Sequence, residues 1–185
     1  TPFVTNTALP TSEVALRQSA AGRGIELGAA VAVEPLRDDP DYRRVLAREF
    51  NLITAENVMK FAATEPRRGE YDFSAADELV KFAVENGMRV RGHTFVWHQA
   101  LPDWLTSGGF SRDELLTILR EHIAAEGKHF KGKVFAWDVV NEAFEDTGAL
   151  RGTPWSEGIG PDYIEIAFRA AREADRERVR EQRRA

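Results

Sequence analysis

The sequence contains no cysteine, so disulfide bonds, thiolate nucleophiles and cysteine metal sites are all excluded from its 185 residues. No apolar run approaches the roughly 18 residues that a membrane-spanning helix needs, so we expect no membrane partner. Basic residues are not in excess: 25 lysines and arginines stand against 30 acidic residues, and the net charge of -5 argues against nucleic acid as a partner. We therefore expect one globular, soluble domain that is stabilised by packing.

The N-terminal segment also lacks the basic and apolar stretches of a signal peptide. The chain begins at Thr1 rather than at methionine. This fits either a mature secreted protein or a chain numbered from its first ordered residue, and the expected location is secreted and extracellular.

Four short β-like runs alternate with longer amphipathic stretches, which predicts a βα repeat. Serines three residues before an acidic residue, Ser74 with Asp77 and Ser111 with Glu114, predict capping boxes at the start of two helices. Two histidines of the second of these helices, His122 and His129, are expected at the surface. The strands are predicted at 25–30, 52–55, 88–95 and 134–140, and the helices at 11–21, 41–50, 74–86, 111–130 and from about 162 to the C-terminus.

Strands that are separated by helices and apolar along most of their length predict a parallel sheet covered by helices. A doubly wound sheet would carry a glycine-rich phosphate loop after its first strand, and none is present. Polar and aromatic clusters instead follow the second, third and fourth strands, where (β/α)8 barrels place their active sites. Since a closed barrel needs roughly 250 residues, we predict an α/β fold of the TIM-barrel type with only about its first four βα units, a half-barrel.

The segment 135–144 ends the fourth strand with an amide and a carboxylate side by side, Asn141 and Glu142. Glycoside hydrolysis needs a carboxylic acid held neutral near the scissile oxygen, and aromatic walls such as Trp137 and Phe144 would desolvate Glu142 and favour its neutral form. Asn141 could hold a sugar hydroxyl. The alternative is a strand-end glutamate that pairs with a neighbouring lysine or arginine.

Two further segments, 54–60 and 92–98, place polar and aromatic side chains after the second and third strands. From the residues alone, Glu56 and Lys60 are more typical of a solvated pair four positions apart. Trp97 offers an apolar face for a pyranose ring, or a tryptophan of the barrel core. His98 is more typical of a structural histidine than of a catalyst.

Segment 137–144 resembles the acid/base signature of the family ten glycoside hydrolases, and segments 54–60 and 92–98 agree with that family in the same order. The resemblance covers the chain from about Ser12 to Asp175. It implies a (β/α)8 barrel, a retaining mechanism and the family's commonest activity, endo-β-1,4-xylanase, with xylan or xylo-oligosaccharide as the partner.

The resemblance also assigns roles position by position. Glu142 is the general acid/base, and Asn141 binds the 2-hydroxyl of the sugar being cleaved. Glu56, Asn57 and Lys60 bind the next sugar on the non-reducing side, and His93 and Trp97 form the floor around the cleaved sugar. One contact is in doubt, because Ala100 stands where the family usually has glutamine.

We expect no cofactor and no catalytic metal. His93, His98, Glu56 and Glu142 come from separate strand ends without the local spacing of metal ligands.

The family pattern stops at Asp175, and 176–185 reads as a charged helical tail, so the predicted domain is 1–175. The family's nucleophile lies on a seventh strand, which has no counterpart here. A half-barrel would expose two sheet edges and the apolar side of its strands, so we expect self-association or a complementary half-barrel. Two copies related by two-fold symmetry would place His93 and Trp97 where the nucleophile belongs.

Three functions remain open. The chain is a truncated retaining endo-xylanase, a catalytically weak or inactive module that binds xylo-oligosaccharide and self-associates, or a fragment without a ligand.

Overall fold

The structure, a computed structural model, describes residues 14–175, which fold around a four-stranded parallel sheet. Sheet order follows chain order, and each strand pairs with the next one in parallel, for example Ala29 beside Ile53 and Ile53 beside Val90. This arrangement confirms the predicted first four βα units. The strands are β1 Gly28–Val31, β2 Leu52–Ala55, β3 Arg89–Val96 and β4 Ala136–Val140.

Helices connect the strands, as the alternating pattern predicts, but the boundaries differ from prediction at the start of the chain. The first strand begins at Gly28 rather than Ile25, and an unpredicted helix begins directly after it at Val33. No helix within residues 14–175 is long and apolar enough to cross a membrane. The helices are α1 Leu16–Ala21, α2 Val33–Asp38, α3 Pro40–Glu49, α4 Phe61–Thr64, α5 Ser74–Glu85, α6 Asp103–Thr106, α7 Arg112–His129, α8 Pro154–Gly158 and α9 Tyr163–Ala174.

The two faces of the sheet have opposite character because side chains alternate along each strand. Val90 and Val139 are buried on the face that the helices cover, whereas Arg89 and Arg91 are exposed on the other face. The open face of this half-barrel is mixed, because charged side chains such as Arg91 and Asp138 lie beside exposed Ala30 and half-buried Leu52. The apolar strand surface that we expected to be exposed is therefore limited to small or half-buried residues. The apolar side is the one that packs against the helices.

Two apolar clusters form the core between the sheet and its helices. The first joins α3 and α5 to the first three strands, with Ile53, Leu79 and Val90 at its centre. The second joins α7, α8 and α9 to the last two strands and includes Ile123 and Trp155. Both clusters lie on one side of the sheet, so the strand ends remain accessible.

The two predicted capping boxes have different outcomes. At Ser111 the capping box with Glu114 is confirmed: the serine hydroxyl accepts from the Glu114 N–H, and the Glu114 carboxylate accepts from the Ser111 N–H. At Ser74 the prediction is wrong, since the side chain of Asp72 accepts from the Ser74 N–H instead. Helix α5 begins at Ser74 itself, with Phe73 as its N-cap, and the Asp77 side chain bonds to His129 of α7.

His122 is fully buried, so the expectation of a surface position is wrong. Its Nδ1 lies 3.0 Å from Oε2 of Glu65, its Nε2 lies 3.4 Å from Oε2 of Glu126, and the ring of Phe61 stacks on it at 3.5 Å. His129 is partly exposed and pairs with Asp77. The predicted tail 176–185 and the first residues of the helix predicted at 11–21 lie outside the described residues.

Candidate active site

Polar side chains from three consecutive strand ends meet at one rim of the sheet. Glu56 follows β2, Trp97 follows β3, and Asn141 and Glu142 follow β4. Since the carboxyl ends of parallel strands lie at the same edge, the fold brings together segments that are far apart in the chain. An open cavity of about 540 Å³ runs from this rim along the open face, and its lining includes Glu56, His93 and Asn141.

Glu142 is an exposed carboxylate at the rim, with 49% of its side chain accessible. Its Oε2 accepts a hydrogen bond of 2.9 Å from Nε1 of Trp97, and Nε2 of His98 lies 3.9 Å away. The backbone of Glu142 has a φ of 50°, in the left-handed region that few residues other than glycine adopt. Backbone in such a conformation is found preferentially at functional sites.

Trp97 links Glu142 to the cluster that follows β2. The ammonium of Lys60 lies 5.0 Å from the centre of the Trp97 ring, and it donates a hydrogen bond of 2.9 Å to Oδ1 of Asn57. A cation over an indole face and an amide beside it form one continuous polar and aromatic surface. The interpretation of Lys60 and Glu56 as a mutual surface pair is not what the structure shows, because the partner of Lys60 is Asn57.

His93 is held by a carboxylate that sequence reasoning did not assign to the site. Its Nδ1 lies 2.9 Å from Oδ2 of Asp138, while Arg91 donates through Nε and Nη2 to Oδ1 of the same residue. Because the carboxylate accepts, the proton of a neutral His93 resides on Nδ1, and Nε2 is the acceptor nitrogen. The sequence feature that could have indicated this group is the spacing of Arg91 and His93, which alternation along β3 places on one face of the strand.

Known proteins resemble this chain along most of its length. The family model described as Glycosyl hydrolase family 10 matches residues 15–179. The chain belongs to this family. Endo-1,4-beta-xylanase B of Thermotoga neapolitana is 45% identical over 165 residues, which are 88% of this chain and 48% of that protein.

Solved structures agree with the family assignment. Native xylanase 10B of Thermotoga maritima has a TM-score of 0.83 at 46% identity, over 88% of this chain and 51% of that one. Xylanase 10B of Thermotoga petrophila, solved in complex with xylobiose, has a TM-score of 0.84 at 45% identity, over 89% and 51%. This family 10 chain therefore has the (β/α)8 barrel fold in part, and it spans about half the length of these relatives.

The aromatic surroundings of Glu142 differ from those expected for this family 10 chain. Trp137 stacks on Phe95 at 4.0 Å in the core, and Phe144 is 57% exposed. The ring that contacts the carboxylate is that of Trp97, supplied by the neighbouring strand. The expected position of Glu142 at a strand end was correct, whereas the aromatic residue beside it could not be read from the adjacent sequence.

The remaining predicted site residues lie at the rim without fixed side-chain partners. Glu56 is exposed, Asn141 is half-buried, and within residues 14–175 neither side chain forms a hydrogen bond. Both are available to a ligand. Ala100, the position that departs from the family pattern, has a φ of 51°, and its carbonyl accepts from the Ala62 N–H.

A larger groove of about 690 Å³ lies between α7 and α9 on the outer helical surface. It is lined by basic and small apolar side chains such as Arg120, Lys128 and Ala170. It therefore lies on the helices and not at the strand ends, where barrels of this kind place their active sites. Among the described residues, no cluster of three histidine, aspartate or glutamate side chains is arranged to hold a metal ion. The strand-end rim is thus the candidate active site.

Proposed function

We propose that this chain forms the acid/base half of a retaining endo-1,4-β-xylanase site, with Glu142 as the general acid/base. The hydrogen bond from Trp97 to Glu142 at the open strand-end rim carries the proposal. It holds an accessible carboxyl group beside an aromatic surface, and a pyranose ring stacks well on such a surface. The length and identity of the match to xylanases support the substrate class.

In a retaining mechanism Glu142 protonates the glycosidic oxygen as the leaving group departs, and then removes a proton from the water that hydrolyses the glycosyl-enzyme intermediate. The nucleophilic carboxylate must lie about 5 to 5.5 Å from the acid. Asp138 is committed to Arg91 and His93, so it does not suit this role. We propose that the nucleophile belongs to the βα units that complete the barrel, on the same polypeptide or on another.

The other rim residues fit a row of sugar hydroxyls. Asn141, next to the acid, would bind the 2-hydroxyl of the sugar being cleaved, and His93 and Trp97 would form the floor beneath it. Glu56, Asn57 and Lys60 would bind the next sugar on the non-reducing side, since a carboxylate, an amide and an ammonium together offer both acceptors and donors.

A second candidate function is the binding of xylo-oligosaccharide without turnover. It is favoured by one observation: the rim gathers the proposed sugar-binding side chains, whereas the neighbouring carboxylate of Asp138 is held by Arg91 and His93 and does not suit the role of nucleophile. A titration with xylobiose, beside an assay of reducing sugar released from xylan, separates the two functions. Binding of xylobiose without release of reducing sugar would support the binding module and exclude turnover.

Two variants test the acid/base role. Glu142→Gln removes the proton donor and should lower xylan hydrolysis by about 10²- to 10⁴-fold. Asp146→Asn makes the same chemical change four positions along, at a side chain without a hydrogen bond or ion pair among the described residues, and should leave hydrolysis unchanged. Undiminished hydrolysis by Glu142→Gln would remove Glu142 from the mechanism.

We also propose that β1 and β4 are covered by a complementary half-barrel or by a second copy of this chain. Within residues 14–175 each of these strands pairs on one side only, which leaves backbone donors and acceptors at two sheet edges. Sedimentation of the 185-residue chain should show an assembly, and a well-folded monomer would contradict self-association.

An extracellular location is proposed because xylan is a polymer outside the cell. Recovery of the protein from the culture medium tests this location.

A further inference from the structure

The segment that follows Glu142 is a short hairpin that returns to the catalytic strand end. Phe144 pairs with Leu150 in an isolated antiparallel bridge, and the Arg151 N–H donates to the carbonyl of Ala143 at 2.8 Å. This pairing brings the Arg151 side chain, nine positions along the chain, back to the backbone of Glu142.

The guanidinium of Arg151 contacts three groups of this hairpin. Its Nε donates to the carbonyl oxygen of Glu142 at 3.1 Å, and its Nη2 donates to that of Phe144 at 3.4 Å. Its Nη1 lies 3.1 Å from Oε2 of Glu145. A planar group with several donors in fixed geometry can hold two carbonyls and a carboxylate at once, which a lysine cannot do.

These contacts fall on a residue whose backbone conformation needs support. Glu142 has a φ of 50°, and such a conformation persists in a residue with a side chain only when its surroundings determine it. The direction of the Glu142 side chain depends on that backbone, because φ and ψ restrict the rotamers. A group that holds the Glu142 carbonyl therefore also aims its carboxyl group.

Helix α8 contacts Trp97 directly and reaches Glu142 through Arg151. Ser156 donates from its hydroxyl to the carbonyl of Arg151 at 2.7 Å, and the buried Trp155 donates from Nε1 to the carbonyl of Trp97 at 2.9 Å. The position of the proton donor relative to its aromatic partner is thus set by a short helix outside the sugar-binding rim.

We propose that Arg151 is a positioning residue that fixes the backbone of Glu142 so that its carboxyl group stays against the indole of Trp97. Its meaning for catalysis rests on the proposed hydrolase function. The positioning itself is independent of turnover and can be observed in the chain as it is.

The indole N–H signals of the four tryptophans provide the test, in NMR spectra of the ¹⁵N-labelled 185-residue chain. At a fixed pH the Trp97 signal should move in Glu142→Gln, because this variant changes the acceptor of the indole N–H. In Arg151→Met it should move in the same way, because the carboxyl group of Glu142 is no longer held against the indole. The signal of Trp104, whose indole donates to the backbone carbonyl of Glu65 away from the rim, should keep its position.

A matched control is Arg169→Met, which removes an exposed guanidinium paired with Glu165 on α9 and should leave all four signals in place. An Arg151→Met chain whose Trp97 signal keeps its original position would overturn the proposal. So would equal displacement of all the indole signals, because that would mean a general loosening of the fold. Should Arg151→Met fail to fold, Arg151→Lys is read by the same criteria.

Hydrolysis of aryl xylobiosides adds a second readout. In an active assembly Arg151→Met should lower kcat/KM for poor leaving groups by up to about 10²-fold, as expected when a reacting group is misplaced. Leaving groups that depart without protonation should be little affected. A Trp97 effect together with no hydrolysis by a completed barrel would retain the positioning role and reject the hydrolase function, so the two failures are distinguishable.

Discussion

Glutamate and histidine side chains meet in two regions of this chain, and their surroundings are opposite. At the strand-end rim, Glu142 is 49% exposed and lies 3.9 Å from His98. In the core, His122 lies between Glu65 and Glu126, and all three side chains are at most 4% exposed. Proximity of a carboxylate to a histidine therefore does not by itself mark a reactive site. The polysaccharide that we propose as substrate must reach Glu142, and of these two regions the rim is the exposed one.

The largest expected difference between the two regions is in stability. Glu65→Gln removes the carboxylate that pairs with the buried His122, and breaking a buried pair costs about 3 to 5 kcal/mol of unfolding free energy. Glu142→Gln, the same change at the rim, should alter that free energy by less than about 0.5 kcal/mol. Urea denaturation of both variants measures this, and equal losses would contradict the contrast between the regions.

The next largest effect concerns turnover. Trp97→Phe keeps an aromatic ring but removes the N–H that donates to Glu142. Because a hydrogen bond to a charged group is worth about 1.5 to 3 kcal/mol, kcat/KM in an active assembly should fall about 10- to 100-fold. Trp104→Phe removes an indole N–H that donates to the backbone carbonyl of Glu65. It should lower stability by about 1 kcal/mol and leave kcat/KM unchanged. A loss of kcat/KM in Trp104→Phe with unchanged kcat/KM in Trp97→Phe would contradict this assignment of the two tryptophans.

The buried cluster should also make stability depend on pH. Burial lowers the pKa of His122, but the nearby carboxylates Glu126 and Glu65 outweigh that effect and leave the pKa raised above its ordinary value of 6.5. Burial also raises the pKa of Glu126 above its ordinary value of 4.5, and the charge of His122 opposes this only in part.

Both raised pKa values mean that the folded chain binds protons more tightly than the unfolded chain, so stability falls as the pH rises. The contribution of His122 is complete below pH 6.5 and is lost as the pH rises through the higher pKa of the folded state; that of Glu126 is lost in the same direction, above pH 4.5. Melting temperatures across this range should decline with pH. Glu126→Gln should flatten the decline, and an unchanged slope in that variant would exclude Glu126 as a cause.

The smallest effect concerns the start of the helix that carries the buried histidine. Ser111→Ala removes the cap of α7 and should cost about 1 kcal/mol. Ser74→Ala is its control: Ser74 opens α5 without capping it, so the loss should be under about 0.5 kcal/mol. Chemical denaturation of the two variants measures both values, and a cost at Ser74 as large as that at Ser111 would show that Ser74 contributes to the cap.

Much of the fold could be predicted because its signals are local. The alternation of β-like runs with amphipathic stretches indicated the βα order, and the Ser111 cap uses residues three positions apart. The position of Glu142 at the end of a strand followed from the apolar run before it. Predictions failed where side chains bond to residues far away in the chain. Asp77 at the start of α5, for example, bonds to His129 of α7.

The sequence by itself determined the order of strands and helices, the placement of Glu142, Trp97 and Glu56 at strand ends, and the resemblance to a glycosidase family, because these depend on neighbours along the chain. Only the tertiary structure decided that His122 is buried against Glu65, 57 positions away, that Asp138 holds His93, and that Arg151 supports Glu142. Hydrogen bonds and burial depend on distances in space, and those distances exist only once the sheet and its helices have packed.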